Sequence, residues 1–457
     1  MSDIIAAIST AMSPSGIGII RMSGDRSLQI LERIFVPFNK KLDVGKLKSH
    51  TVTYGYIYDG DVKIDEVLVI YMKAPHSYTT EDTVEIDCHG GIFVQKKVLE
   101  TVVKNGARLA DPGEFTKRAF LNGRIDLSQS EAVIELIDSK NEYSRKNALN
   151  KLGGGLSDKI SKIRDDILYE TAYIESALDD PEHISLDGYS THLLPKLDEW
   201  KDEIDRLAAS FDNGRIVKEG INTVIIGRPN VGKSSLLNLL LGEERAIVTE
   251  IAGTTRDTLE ESISLNGIVL NMTDTAGIRE AGDNIEKIGI SRAQEKAKNA
   301  DLILYVIDSS QQLTQDDLLI MEMIKDKKVI IIFNKTDLPA LITPEDVTRR
   351  LGKPLVNFSA KEKKGEEELF GVITDMFLSG SLDLDDQVLI TSERQKYDLI
   401  CAGKSLENVR ECIDNGLPED LYTIDLMDAY TSLGRILGES LDEDLIDSIF
   451  ENFCMGK

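Results

Sequence analysis

Cysteine is scarce: four residues, Cys88, Cys401, Cys412 and Cys454, lie far apart and form no C-x-x-C pair. That scatter argues against structural zinc and against a disulfide framework, and it fits a reduced, cytoplasmic chain. Histidine is nearly as rare, with five residues and no two at ligand spacing, so His89, beside Gly90-Gly91, reads as structural. No apolar run approaches the roughly 20 residues that cross a bilayer, and no charged-then-apolar leader opens the chain, so no membrane role is expected. Positive charge is in deficit: 53 Lys and Arg against 79 Asp and Glu give a net charge of −26. Indiscriminate nucleic-acid binding is thereby disfavoured, because phosphate contacts need Lys and Arg. A local basic patch or a basic partner protein could still bring RNA to the chain. Internal repeats and low-complexity stretches are also missing.

The 457 residues suggest about three domains, and 41% hydrophobic content is ample for their cores. Residues 1–118 look α/β. Ile17-Gly18-Ile19-Ile20, Glu66 to Met72 and Thr83-Val84-Glu85-Ile86-Asp87 alternate or run as strands between Gly, Pro and Asp punctuation. Residues 119–215 read as helices. Leu152, Leu156, Ile160, Ile163 and Ile167 recur at helical spacing, as do Leu193, Leu197, Trp200, Ile204 and Leu207, so both stripes are expected in a bundle core. Residues 216–380 alternate strand and helix in the manner of a parallel sheet. Residues 381–457 return to helical patterning, which suggests that the α/β block is inserted into one helical domain. The expected fold class is α/β plus all-α: an N-terminal α/β domain, a helical bundle and an inserted P-loop domain.

Within that block, Gly227-Arg228-Pro229-Asn230-Val231-Gly232-Lys233-Ser234 reads G-x-x-x-x-G-K-S between an apolar strand and a helical run beginning at Ser235. That context is what a phosphate-binding loop requires. Glycines let backbone N–H groups close on phosphate oxygens, and the helix N-terminus adds partial positive charge. Lys233 is expected at the β/γ-phosphates and the Ser234 hydroxyl on Mg²⁺. Four further segments follow in order. Gly253-Thr254-Thr255-Arg256-Asp257 carries the switch threonine, Thr255, as a second Mg²⁺ ligand, and Thr249, Glu250, Ile251 and Ala252 just before it are also expected at the nucleotide. Asp274-Thr275-Ala276-Gly277 supplies a carboxylate near the metal and a Gly N–H for the γ-phosphate. Asn334-Lys335-Thr336-Asp337 follows a buried strand, and its carboxylate can accept from guanine N1–H and the exocyclic amine. Ser359-Ala360-Lys361 matches a second base-contacting loop. Together the five segments specify GTP rather than ATP.

The hydrolytic residues are less usual. Ile278 follows the D-T-A-G segment where many GTPases carry a water-orienting Gln, and an apolar side chain cannot do that work. Glu286 is the nearest carboxylate suited to it, although by position it could equally be a solvated acid at a helix start. The neutral carbonyl of Asn230 beside the phosphates suits a monovalent cation, held also by carbonyls around Thr249, Ile251 and Thr254.

Three longer stretches complete the picture: Ser15 to Gly24, Glu81 to Gly91 and Asp111 to Arg124, with a chain end reading Phe453-Cys454-Met455-Gly456-Lys457. With the inserted GTPase block, these resemble the MnmE (TrmE) family of tRNA uridine-modification GTPases over the whole chain. Met455, where the family usually has a small branched aliphatic residue, and Arg124, where Lys would serve as well, are the departures. The resemblance implies a homodimer working with the flavoprotein MnmG (GidA) on the wobble uridine of certain tRNAs. It implies a one-carbon unit from 5-formyl- or 5,10-methylene-tetrahydrofolate, contacted by Arg21, Glu85, Arg124 and Lys457. It also implies that Asn230 binds K⁺, that Glu286 orients water, and that the two GTPase domains approach each other when K⁺ and GTP are bound. Cys454 becomes a candidate nucleophile or acid/base, although a terminal cysteine is usually inert. A ribosome-assembly GTPase would carry a basic RNA-binding module that this sequence does not contain. A folate-binding scaffold with a vestigial GTPase is disfavoured by intact Lys233, Ser234, Thr255, Asp274 and Asp337.

Overall fold

The computed structural model describes residues 3–242, 246–247, 261–265, 268–272, 297–298, 300–378, 388–451, 453 and 456. Two compact units emerge. One gathers Met1–Ile137, Lys151–Lys201 and Cys401–Lys457, the other Asp138–Asn150 and Asp202–Ile400.

The first unit opens with strands β1 (Ile5–Ile8), β2 (Ile17–Ser23), β3 (Phe35–Pro37), β4 (Thr51–Asp59), β5 (Val62–Met72), β6 (Thr83–His89) and β7 (Arg108–Leu109), in the sheet order β3-β4-β5-β6-β2-β1-β7. All pairings are antiparallel except β1 with β7. Alternation sorts the two faces. Ile20 and Met22 on β2 join Val84 and Ile86 on β6 in a core that also takes Ile30, Leu31 and Val98 from helices Ser27–Ile34 and Ile92–Lys104. The intervening residues Arg21 and Glu85 therefore emerge on the opposite face, directly across the β2–β6 pair from each other.

The helices of this unit bury the expected stripes. Leu156, Ile160, Ile163 and Ile167 lie inside on helix Gly155–Asp179, which packs against Asp420–Leu437. Leu152 does not continue that helix. It ends the preceding one, Glu142–Leu152, because Gly153-Gly154 interrupts the chain with φ at +98° at Gly154. Leu193, Leu197 and Trp200 are buried along Tyr189–Ala209, as are Ile204 and Leu207 in the part of that helix that belongs to the second unit. Helix Glu443–Phe450 packs on helix Glu114–Leu121, with Phe450 and Phe453 in one cluster with Leu127, and Lys117 paired to Asp447.

The second unit is built on β8 (Ile221–Ile226), β9 (Ala246–Ile247), β10 (Glu261–Leu265), β11 (Ile268–Met272), β12 (Leu302–Asp308), β13 (Val329–Asn334) and β14 (Leu355–Asn357). Their order is β14-β13-β12-β8-β11-β10-β9, parallel from β14 to β11 and antiparallel beyond. The central strands are buried on both faces, which explains their unbroken apolar sequences. Leu304, Val306, Ile330 and Ile332 enter one core, while Ile303, Tyr305, Ile331 and Phe333 enter the other. Helices Gln315–Ile324 and Pro344–Leu351 begin in capping boxes, Thr314 with Asp317 and Thr343 with Asp346. The fold is an N-terminal α/β domain and a helical domain into which a P-loop domain with a mostly parallel sheet is inserted.

Candidate functional site: a nucleotide loop and an N-terminal arginine–glutamate cluster

In a parallel sheet the loops leaving the carboxyl ends of the strands share one edge, where ligands bind. Here β8, β12, β13 and β14 deliver Gly227, Asp308, Asn334 and Ser359 to that edge. The turn after β8 needs left-handed backbone at Asn230 (φ +63°) and Gly232 (φ +103°) before helix Lys233–Leu240 begins. A Cβ on Gly232 would fall 2.1 Å from Asn334 Nδ2, so glycine is required there. Lys233 Nζ donates to the loop's own Gly227 and Arg228 carbonyls, at 2.8 and 2.6 Å. The ammonium is thus held inside the loop, where phosphate oxygens could take over its hydrogen bonds.

The base-side loops are tied to that turn by side chains. Asn334 Nδ2 donates to Val231 O at 2.8 Å, and its carbonyl accepts from Ala360 N at 3.3 Å. Lys335 Nζ reaches Asn230 O at 3.0 Å and Asp308 at 2.7 Å. Burial works against the charge of Asp308, but Lys335 and Ser310 outweigh it and hold the carboxyl below its ordinary value. Thr336 turns back on Phe358 O, and Ser359 Oγ donates to Asp337 Oδ1 at 2.8 Å. One oxygen of Asp337 is thereby fixed in direction. Behind the loop, Arg228 pairs with fully buried Asp317 at 2.9 Å.

The N-terminal unit holds a second polar cluster. Arg21 and Glu85 are paired at 2.7 Å and nearly buried, each side chain 17% exposed. The Arg21 guanidinium lies over the rings of Tyr78 and Phe115, both at 5.7 Å, and donates to Gly456 O at 3.3 Å. Arg124 stacks on Tyr78 at 4.8 Å and donates to its carbonyl at 2.9 Å. Gly456 adopts φ +90°, and a Cβ there would come 2.4 Å from Ile8 O, so only glycine brings the tail this close to β1 and Arg21. Burial, with the neighbouring Glu85 charge, raises the Asp87 carboxyl on the same face. His89 is exposed and pairs with Asp65 at 2.7 Å.

Two family models divide the chain between them: "GTP-binding protein TrmE N-terminus" over residues 4–124 and "MnmE helical domain" over residues 127–454. The chain belongs to the MnmE family. A Lachnoclostridium phytofermentans protein named tRNA modification GTPase MnmE is 54% identical over 456 residues, covering 100% of both chains. The Thermoanaerobacter pseudethanolicus protein of the same name is 47% identical over 459 residues, covering 100% of this chain and 99% of that protein. The Clostridioides difficile protein so named is 45% identical over 462 residues, again covering 100% of both. As a member of the MnmE family the protein is a GTP hydrolase.

Thr249, Glu250, Ile251, Ala252, Gly253, Thr254, Thr255, Asp274, Thr275, Ala276, Gly277, Glu286, Cys454 and Lys457 lie outside the described residues. Among the described ones, Asn230 to Ser235, Asn334 to Asp337 and Ser359 to Lys361 gather at one sheet edge. Arg21 and Arg124 meet at Tyr78, and Glu85 is paired to Arg21. Asp308, Arg228 with Asp317, Tyr78 and Phe115 were not singled out from the sequence. For Asp308 a signal existed, since a carboxylate closing a seven-residue buried strand is costly without a cation beside it. Tyr78 and Phe115 carried none, because an isolated aromatic ring has no motif.

Lys233 yields a prediction. Burial pulls its ammonium down to about 8. Phosphates favour the charged form and would raise it again. Between that value and the ordinary lysine range, GTP binding should therefore take up a proton, and affinity should fall as pH rises. Calorimetry at about pH 9 in two buffers of different ionisation enthalpy should report uptake that Lys233→Met abolishes. Equal uptake in the Met variant would place the proton elsewhere.

Proposed function

We propose that the protein is a K⁺-dependent, Mg²⁺-requiring GTPase that acts in tRNA modification. With the flavoprotein MnmG it adds an aminomethyl or carboxymethylaminomethyl group to C5 of the wobble uridine, using a one-carbon unit from tetrahydrofolate. Residues 1–118 form the dimerising, folate-binding domain, 119–215 and 381–457 the helical domain, and 216–380 the GTPase. The chain works in the cytoplasm as a homodimer. The observation that carries this reading is the Gly456 carbonyl beside Arg21, opposite Glu85. It brings Gly456 to a half-buried arginine–glutamate pair on the second face of the N-terminal sheet.

In this reading Lys233 and the N–H groups of the phosphate loop hold the β/γ-phosphates, and Asp337 with Ser359, Ala360 and Lys361 holds guanine. Ser234 and Thr255 are the Mg²⁺ ligands. Asn230, with carbonyls of Thr249, Ile251 and Thr254, binds K⁺, which supplies the positive charge an arginine finger provides in other GTPases. Glu286 orients water. The Glu85 carboxylate matches the N–H donors of a pterin, while Arg21, Arg124 and Lys457 match carboxylates of its glutamate. Cys454 is the candidate nucleophile or acid/base.

The deciding experiment is nucleoside analysis of tRNA from cells lacking this protein. The modified wobble uridine should be absent, and should return with the native chain but not with Lys233→Ala. An unchanged nucleoside profile would overturn the reading. The cation assignment is tested separately. GTP turnover should fall markedly when Na⁺ replaces K⁺, and Asn230→Ala should erase the difference. Equal native rates in the two salts would remove K⁺ from the mechanism.

A further inference from the structure

Beside the Arg21–Glu85 cluster lies an open cleft of about 560 Å³. Its lining includes His50, His76 and Arg124 but no Asp or Glu, in a chain where acids outnumber Lys and Arg 79 to 53. The two carboxylates of the adjoining turn are turned to other partners. Glu81 pairs with Arg118 at 3.0 Å, and Asp82 accepts from Tyr71 Oη at 3.0 Å and Ala74 N at 2.9 Å. This wall therefore offers hydrogen-bond donors and the Arg124 cation with no acid in its own lining.

The cleft is also built with strained backbone. His50 and Thr80, both on its wall, hold φ of +60° and +63°, a region that residues with a Cβ seldom occupy. Such conformations persist where the surrounding structure over-determines them, and they cluster at ligand clamps. His50 is fixed by its N–H on Tyr71 O at 2.7 Å and its Nδ1 on Ser49 Oγ at 2.8 Å, so the other ring nitrogen is left to meet a ligand. Two histidines without a neighbouring Cys, Asp or Glu fall short of a metal set, and no such group of three or more occurs among the described residues.

Tyr78 is the shared wall. Its hydroxyl is held by Thr116 Oγ1 at 2.9 Å, the Arg21 and Arg124 guanidinium groups both lie over its ring, and it lines the cleft. We propose that this cleft receives the γ-linked polyglutamate tail of the folate, and that tail length sets the affinity of the one-carbon carrier. The proposal rests on the folate reading above. Arg124 takes the first glutamate, and the chain beyond it continues along Tyr78 to His50 and His76. Each added γ-glutamyl residue brings one more carboxylate, which the donors of this wall can pair by charge-assisted hydrogen bonds.

Calorimetric titration of the full chain with tetrahydrofolate monoglutamate and pentaglutamate tests this, with the His50→Gln/His76→Gln double variant in parallel. The native protein should bind the pentaglutamate roughly ten-fold or more tightly than the monoglutamate. The double variant, altered only at exposed side chains, should lose that preference while keeping monoglutamate affinity and tRNA affinity. Equal affinity of the native protein for the two forms would overturn the proposal and leave the folate reading standing, as would a preference that survives in the double variant. A loss of tRNA affinity in the double variant would make the cleft an RNA surface instead. Failure of the native protein to bind either form would sink the folate reading, and this inference with it.

Discussion

Asp337→Asn should weaken GTP binding by roughly 10²–10⁴-fold and turn the protein toward xanthosine triphosphate. In the proposed base site the carboxylate accepts two hydrogen bonds from guanine, each worth about 1.5–3 kcal/mol when one partner is charged. Their loss is about 3–6 kcal/mol, at about 1.4 kcal/mol per decade of affinity. An asparagine amide would set an N–H₂ against guanine's donors but would satisfy the C2 carbonyl of xanthine. The loop should survive the change, since Ser359 Oγ can donate to the Asn carbonyl as it now does to Asp337 Oδ1. Competition binding with GTP, ATP and xanthosine triphosphate measures the effect. An Asn variant that retained native GTP affinity would remove Asp337 from the base site.

Glu286→Ala should instead spare binding. If the residue acts only on attacking water, GTP and GDP affinity should stay within a few-fold, because no ground-state contact is lost. Turnover should drop by roughly 10²-fold or more, the usual scale for a positioned acid–base or orienting group. The proposed K⁺-dependent approach of two GTPase domains should persist, since in that reading it rests on the ion and the switch segments. Asp274→Ala is the contrasting variant and should impair Mg²⁺-dependent binding itself. Single-turnover kinetics beside equilibrium titration separates the two effects. Native turnover in Glu286→Ala would make it a surface acid and leave the water to another group.

The parts of the site that were legible in sequence are those whose chemistry lies within a few consecutive residues. The phosphate loop needs a strand, glycine at a left-handed position and a helix start, all in one stretch, and Gly232 at φ +103° ahead of helix Lys233–Leu240 meets that demand. Asn334 to Asp337 and Ser359 to Lys361 were legible for the same reason. Asp308 was not, because its partner Lys335 stands 27 residues away and only the parallel pairing of β12 with β13 puts Asp308 beside Asn334. Tyr78 was missed because its meaning comes from two arginines on other segments. The stripe from Leu152 to Ile167 was over-read as one helix, since spacing alone does not register the break that Gly153-Gly154 makes.

Residue types at short fixed intervals, where backbone geometry leaves few alternatives, made the guanine nucleotide, the phosphate loop, the inserted domain and the family legible from sequence alone. Tertiary structure alone decided which distant groups neutralise one another. It set Arg21 against Glu85 across 64 residues and brought Gly456 O to Arg21 across 435. It also assembled a wall of donors free of Asp and Glu, with His50, His76 and Arg124, in an acidic chain. The physical reason is that a charge is stable in a half-buried place only beside its partner, and strand register and helix packing choose that partner from anywhere in the chain.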